Sequence, residues 1–496
     1  MIRAFVRTVA GAALLCTGAS TFAIPQVFLV QNSGWMEPFY SDARSQFKPL
    51  VTELVVAAAQ PGDPVVLAAF NQALPGAPSP RGLLSVKAEP ALRQQVSGAL
   101  DRLEVARKPG SSALADTDLG EALGAAINTA LAGKPGIIWL VTNNRNSPNN
   151  DQATATRNRE FYELIHQGGS IDKALAFPLR MPVQGAHYHA NGLMVYAFGV
   201  GQQGARALDQ MLAAGRVGQV ITEPPARLKP LDRDTVRLVP RRVDDSPGVS
   251  FSMAQGGLLR ADVDPQARAP AARIGWYLEN TIYPYTIAGA SISARSLLAG
   301  ESLPITLGSG EVRSLAPGVP EPLASTMRLP VAHIPARWSI AALKSAGSAY
   351  VLPGRIELHL AGQKLELSRA FRERMEQLFP GDPLPEIFVP PDRIKESHAM
   401  LPIEVRMHYP LQPLLLIGGA SLLALLAAAV AAYAFARPRK VRVTVGDEVR
   451  MLHARPGTTQ PIFDNAGNQV AQLKTTLFGH HLTDLREGAQ VHLGGR

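Results

Sequence analysis

Residues 414–436 contain only Leu, Ile, Ala, Gly, Val and aromatic side chains around one polar residue, Ser421. At 1.5 Å of rise per residue, a helix of roughly 23 residues reaches about 34 Å, enough to cross a hydrocarbon core of about 30 Å. The run has no amphipathic face, which argues against a helix buried in a soluble core. Tyr409 and Tyr433 sit near its ends, where interfacial aromatics gather. Arg437, Arg439, Lys440 and Arg442 follow at once, whereas the other flank offers Glu404, Arg406 and His408. Basic residues stay on the cytoplasmic side, so the span over 410–436 is predicted to leave the long N-terminal part outside and residues 437–496 inside.

The N-terminus agrees with that orientation. Arg3 and Arg7 precede a small, apolar stretch over 8–19, and Ser20-Thr21-Phe22-Ala23 supplies small residues for cleavage before Ile24. Residues 1–23 therefore read as a secretory signal, too short in its apolar part to remain as an anchor. The sole cysteine, Cys16, lies within it behind Leu15, where a lipoprotein signal would carry a small residue. The mature chain would have no disulfide, thiolate metal site or cysteine nucleophile. The net charge of +9 is concentrated partly in the tail and membrane flank. No basic stripe interleaved with aromatics points to nucleic acid.

Short apolar runs at 27–30, 65–70, 137–142 and 193–198 end in polar residues or glycine, as strands buried on both faces do. Between them Phe47, Leu50, Val51, Leu54, Val55 and Ala58 recur at helical spacing. So do Leu92, Val96, Leu100 and Leu103, and then Leu119, Leu123, Ile127 and Leu131. Alternation of this kind predicts an α/β domain over 24–221 with a doubly wound, mostly parallel sheet. Pro224, Pro225 and Pro230 mark 222–234 as a linker. Over 235–409 strand patterns separated by glycine- and proline-rich turns suggest an antiparallel β-sandwich, without the Cys-Trp-Cys pattern of immunoglobulin domains. One helix interrupts it, with Ser368 as N-cap, Phe371, Met375, Leu378 and Phe379 on one face, and Pro380-Gly381 as its stop. The tail is predicted to be a small β-rich domain with a turn at Asp464-Asn465-Ala466-Gly467.

Four segments of the first domain carry a resemblance. Val27-Phe28-Leu29-Val30-Gln31-Asn32-Ser33-Gly34-Trp35 resembles the first strand and metal-site loop of von Willebrand factor A (vWA) domains, which read Asp-x-Ser-x-Ser there. Ala115-Asp116-Thr117-Asp118-Leu119 resembles the second metal-site segment, with Thr117 at its threonine. Ile137–Asn144 resembles the strand that ends in Thr-Asp-Gly, and Met194–Gly201 a later strand. In that family the loops coordinate Mg²⁺ and bind protein ligands. Here the metal-site positions are Gln31, Ser33, Trp35, Thr117 and Asn143, so the resemblance is to a degenerate version of the site. Both direct carboxylates are replaced by amides and a serine by tryptophan. Magnesium prefers hard anionic oxygens, so no metal and no cofactor is expected. Asp116 and Asp118 flank Thr117 but have no fixed direction in the sequence, and the hydroxyls of Ser33 and Thr117 would also suit helix caps.

Trp35, Met36, Phe39 and Tyr40 follow the first strand, and Asn143, Asn144 and Arg145 open a polar loop at the same sheet edge. Aromatics and methionine suit an interface, and equally suit packing beneath loops. These seven residues are the candidate partner-binding set. His187 and His189 flank Tyr188 without the further ligands a metal site needs. No nucleophile elbow, zinc-protease helix, phosphate loop or dinucleotide fingerprint is present. The sequence therefore reads as a non-enzymatic scaffold of the bacterial inner membrane, binding protein partners in the periplasm through its vWA-like edge, with a cytoplasmic partner of the tail also open. The alternatives are a receptor that relays binding to the tail and a hydrolase with an unrecognised site.

Overall fold

The computed structural model of the protein describes residues 23–146, 151–244, 248–264, 271–328, 333–381 and 384–494. The expected signal segment, apart from Ala23, lies outside the described residues, as does the middle of the polar loop at 147–150. The chain forms two compact units: one runs to His333 and resumes over Val351–Arg406, and the other comprises Ile334–Tyr350 and Met407–Arg496.

The first part of the larger unit is an α/β domain. In chain order its elements are β1 (Gln26–Gln31), α1 (Glu37–Ser41), α2 (Phe47–Ala58), β2 (Pro64–Phe70), β3 (Arg81–Lys87), α3 (Leu92–Asp101) and α4 (Leu119–Ala125). After them come β4 (Gly136–Thr142), α5 (Asp151–His166), β5 (Ile171–Gln184), β6 (His189–Val200), α6 (Gly201–Ala213) and β7 (Ala226–Lys229). The seven strands are ordered β3-β2-β1-β4-β6-β5-β7. β1 is buried along its whole length, and its side chains alternate between two cores. Phe28 and Val30 pack towards Val51, Leu54, Val96 and Leu208 on one face. Val27 and Leu29 pack towards Leu119, Leu123, Phe161 and Ile165 on the other. A central strand with helices over both faces has to be apolar throughout, which is why the run is legible in sequence.

The parallel pairing is confined to the centre, β2-β1-β4. The flanks are antiparallel, so the sheet is mixed rather than mostly parallel. The cause lies in residues 171–200: β5 and β6 form a hairpin, and β6 inserts between β4 and β5. Pro178 and Pro182 lie within β5, whose donor row they interrupt, and this obscures the strand in the sequence. Residues 222–234, expected as a linker, supply the edge strand β7.

The second part of the larger unit is antiparallel β structure. Its strands are β8 (Val236–Asp244), β9 (Val249–Met253), β10 (Leu259–Val263), β11 (Ala271–Asn280), β12 (Tyr285–Leu298), β13 (Glu301–Leu307), β14 (Glu311–Val312) and β15 (Glu321–Arg328). Two long strands follow the short helix α7 (Ile340–Lys344): β16 (Ala349–Leu367) and β17 (Glu396–His408). All ten belong to one sheet, ordered β8-β11-β15-β13-β12-β16-β17-β10-β9 with β14 paired to β12. Burial alternates along β11, β12 and β17, so one face is apolar and inward. The Phe251 ring of β9 meets Trp276 of β11 edge-on at 6.4 Å, bringing strands near opposite ends of the order together as the sheet curls over its core.

Helix α8 (Arg369–Leu378) lies between β16 and β17. Ser368 caps it by accepting from the Phe371 N–H at 3.4 Å, and Gly381 stands just beyond it at φ 65°. Its apolar face does not enter the β core. Phe371, Met375, Leu378 and Phe379 join Phe161, Ile165 and Tyr196 in the outer core of the α/β domain.

In the smaller unit, α9 (Gln412–Ala436) is 25 residues long, and its most apolar stretch of 18 residues has a mean hydropathy of 2.5 and is wholly exposed. It is long and apolar enough to cross a membrane. Beyond it come β18 (Arg439–Val445), β19 (Glu448–Ala454), β20 (Thr459–Phe463), β21 (Gln469–Thr475), β22 (His480–Thr483) and β23 (Val491–Leu493). They form two three-stranded sheets around Val441, Val443, Ile462, Leu473 and Val491.

Candidate functional site at the sheet edge

The carboxyl ends of β1 and β4 bring together residues that stand far apart in the chain. At their centre the Gln31 side chain is fully buried. Its Oε1 accepts from the Asn143 backbone N–H at 3.0 Å and from the Thr142 hydroxyl at 2.5 Å. A backbone N–H can only donate, so this contact fixes the orientation of the amide. Nε2 is thereby directed at Ser33 Oγ, 2.7 Å away, and Thr117 Oγ1, 3.0 Å away. Those two hydroxyls also bond each other at 2.6 Å.

This network accounts for the retained hydroxyls. Ser33 makes no capping bond to the following turn, and α4 is capped by Asp118, which accepts from the Glu121 N–H at 2.9 Å. The helix-cap reading of Ser33 and Thr117 is thus corrected. Nor do the flanking carboxylates serve the network: Asp116 pairs with Lys108 at 2.7 Å, and Asp118 with Arg157 at 3.3 Å. The set does not fit a magnesium ion. The amide NH₂ supplies the positive pole between two hydroxyls, and neither nearby carboxylate turns towards it.

Gly34 permits the close packing of the first loop, since a Cβ there would come within 2.7 Å of Leu114 Cβ. Beyond it the candidate binding residues diverge. Met36 and Phe39 are buried in the inner core, which corrects their assignment to a partner surface. The Tyr40 ring packs against Phe47 at 5.2 Å and its hydroxyl donates to the Gln31 carbonyl at 2.8 Å; burial raises its pKa well above the ordinary phenol value. Asn144 is also buried, at φ 68°, and its side chain accepts from the Tyr196 hydroxyl. The hydrophobic effect draws the apolar side chains inward, and the Asn144 amide can be buried beside them because its oxygen is hydrogen-bonded.

Trp35 and Arg145 remain at the surface of a cleft, while Asn143, which also lines it, is itself buried, and this corrects its assignment to an exposed partner surface. Trp35 is half-buried; its ring meets Tyr188 at 4.5 Å and carries the Arg145 guanidinium at 5.0 Å. Its indole N–H donates to the Asn146 carbonyl at 3.2 Å, and Asn143 Nδ2 donates to the Trp35 carbonyl at the same distance. Arg145 also donates to the Pro380 carbonyl at 2.9 Å. The cleft, about 420 Å³, is completed by His187, His189, Leu378 and Phe379. The sequence signal for the β5–β6 hairpin tip is the aromatic His187-Tyr188-His189 run, which serves here as cleft wall, and nothing local to α8 marks its end as part of the same site.

Glu37 holds that hairpin tip in place. Burial opposes its ionisation, but N–H groups of Ala186 and His187 and the Ser41 hydroxyl more than offset this, so its pKa lies below the ordinary carboxylate value. Gly185 makes room for it, because a Cβ there would overlap the carboxylate.

No family model matches the chain, and no curated protein does. Among solved structures, the chain is similar to a von Willebrand factor type A protein from Catenulispora acidiphila, at 10% identity and a TM-score of 0.22, over 79% of this chain and 68% of the other. A fainter likeness, at 10% identity and a TM-score of 0.11, is to CfaE, the adhesive subunit of the CFA/I fimbria of enterotoxigenic Escherichia coli, over 48% of this chain and 73% of that one.

Proposed function

We propose that the chain is a membrane-anchored, non-enzymatic binding protein that takes a protein partner in the cleft beside its vWA-like sheet edge. The observation that carries this reading is the contrast between two adjacent regions. Gln31, Ser33, Thr117 and Thr142 are closed into a buried network. Trp35, Tyr188 and Arg145 meanwhile line an open cleft. Half-buried tryptophan and arginine, held by neighbours, are the residue types that most often anchor protein interfaces. Arg145 and the two histidines favour a partner segment that carries a carboxylate or an aromatic ring. In this reading α9 crosses the inner membrane, the cleft faces the periplasm and residues 437–496 lie in the cytoplasm.

The test is in-cell cross-linking of the full chain followed by identification of attached proteins, repeated with Trp35→Ala and Arg145→Ala. A partner captured by the native chain and lost from both folded variants supports the assignment. Equal capture by all three chains would remove this edge from consideration.

A further inference from the structure

A second group of side chains converges well away from this cleft in sequence, on the solvent-facing side of β16 and β17. Residues alternate along both strands: Leu358 and Leu360 point into the core and His359 points out, while Ser397 points in and Glu396 and His398 point out. The register is held from beneath. The buried Ser397 hydroxyl donates to Gln363 Oε1 at 2.7 Å and shares a 2.7 Å hydrogen bond with Thr235. From the side, the His398 N–H donates to the Asp232 carbonyl at 3.1 Å, and its carbonyl accepts from the Asp234 N–H at 2.7 Å.

The consequence is that one ligand atom from each of His359, Glu396 and His398 lies within 4.8 Å of the other two. The imidazoles stack at 4.6 Å with 11° between their planes. His359 Nε2 is shielded from solvent without a hydrogen-bond partner, and the facing Glu396 oxygen is 3.6 Å away. That separation is too long for a hydrogen bond. It is close to the roughly 3.3 Å that separates two ligands bound at about 2.0–2.1 Å in a tetrahedral shell. A shielded nitrogen lacking a partner, opposite a carboxylate at coordination spacing and beside a second imidazole, is the arrangement a cation would complete.

We propose that His359, Glu396 and His398 bind a divalent transition-metal ion of the zinc class, through two imidazole nitrogens and one carboxylate oxygen. Imidazole with one carboxylate suits zinc better than calcium or magnesium, which take oxygen ligands. Three protein ligands leave a fourth position for water or for a side chain from another molecule.

The full chain, purified in detergent and stripped with chelator, is titrated with Zn²⁺ by calorimetry, and with Co²⁺ while the visible spectrum is followed. The native chain should take up the ion at this site and give the intense visible bands of low-coordinate cobalt. His398→Ala and the near-isosteric Glu396→Gln should each weaken Zn²⁺ binding about tenfold or more, since losing even an outer-shell partner costs that much. Replacing His480 and His481 by Ala, in the other compact unit, should leave this binding in place. All three ligands face outward, so circular dichroism should show native folding; if His398→Ala does not fold, Glu396→Gln decides alone. Absence of Zn²⁺ binding in the native chain, or binding unchanged by Glu396→Gln, would overturn the proposal.

Discussion

Gln31 and Thr117 stand 86 residues apart in the chain, yet the amide of one donates to the hydroxyl of the other across 3.0 Å in a fully buried setting. The bond ties the end of β1 to the entry of α4, and the same amide reaches Thr142 and Asn143 at the end of β4. One neutral side chain therefore gathers three loops at the sheet edge.

Gln31→Leu should destabilise the larger unit by at least about 1–3 kcal/mol, the cost of one buried polar group left without a partner. Ser33, Thr117 and the Asn143 N–H all lose a partner in that variant. Denaturant unfolding measures the change. For the native chain, added Mg²⁺ or chelator should leave this transition in place. A stabilisation by Mg²⁺ approaching the roughly 2.7 kcal/mol expected at 100 times a dissociation constant would show instead that Asp116 or Asp118 rebuilds the site.

Neighbouring residues of the first loop should behave in opposite ways. Phe39→Ala removes a ring from the inner core and should cost about 3–5 kcal/mol. Trp35→Ala should cost less in stability, about 1–2 kcal/mol for its Tyr188 and Arg145 contacts. In exchange it should weaken partner association by about 2 kcal/mol or more. Thermal melts measured beside binding distinguish the two. A Trp35→Ala chain that unfolds as readily as Phe39→Ala would place the tryptophan in the core.

Acid should loosen the joint between the α/β domain and the segment after α8. His166 bonds the Ile387 carbonyl at 2.9 Å, and burial, with Lys229 and Arg393 nearby, lowers its pKa from 6.5 to about 4. The unfolded chain therefore binds this proton more readily. Its contribution is complete above about pH 6.5, falls as the pH drops towards 4, and is lost below that, on the order of 3 kcal/mol in all. His166→Gln should flatten this part of the stability profile. An unchanged slope between pH 7 and 4.5 would mean that other groups set the acid sensitivity.

Orientation of α9 can be read with reporters. An enzyme that works only after export should be active when fused before Tyr409 and inactive when fused after Lys440, given the basic residues Arg437, Arg439 and Lys440 at one end of the helix. The reverse pattern would invert the proposed topology.

What the sequence by itself determined was whatever depends on neighbours along the chain. The apolar runs of β1, β2 and β4 are continuous because both faces of a central strand are covered. α8 announced its cap, apolar stripe and stop because each acts within a few residues. The long apolar helix needed only a count of residues. Tertiary structure alone decided what depends on residues brought together from afar. β6 turned back between β4 and β5, which made the sheet mixed, and the face of α8 went to the α/β domain instead of the β core. Met36 and Trp35 are adjacent and both look like interface residues, yet one is sealed in the core and the other lines the cleft, because a tight turn sends consecutive side chains in different directions. His359 and the Glu396–His398 pair are separated by a helix and several turns, so no spacing links them. They meet because β16 and β17 are neighbours in the sheet, and strand alternation places all three on its outer face.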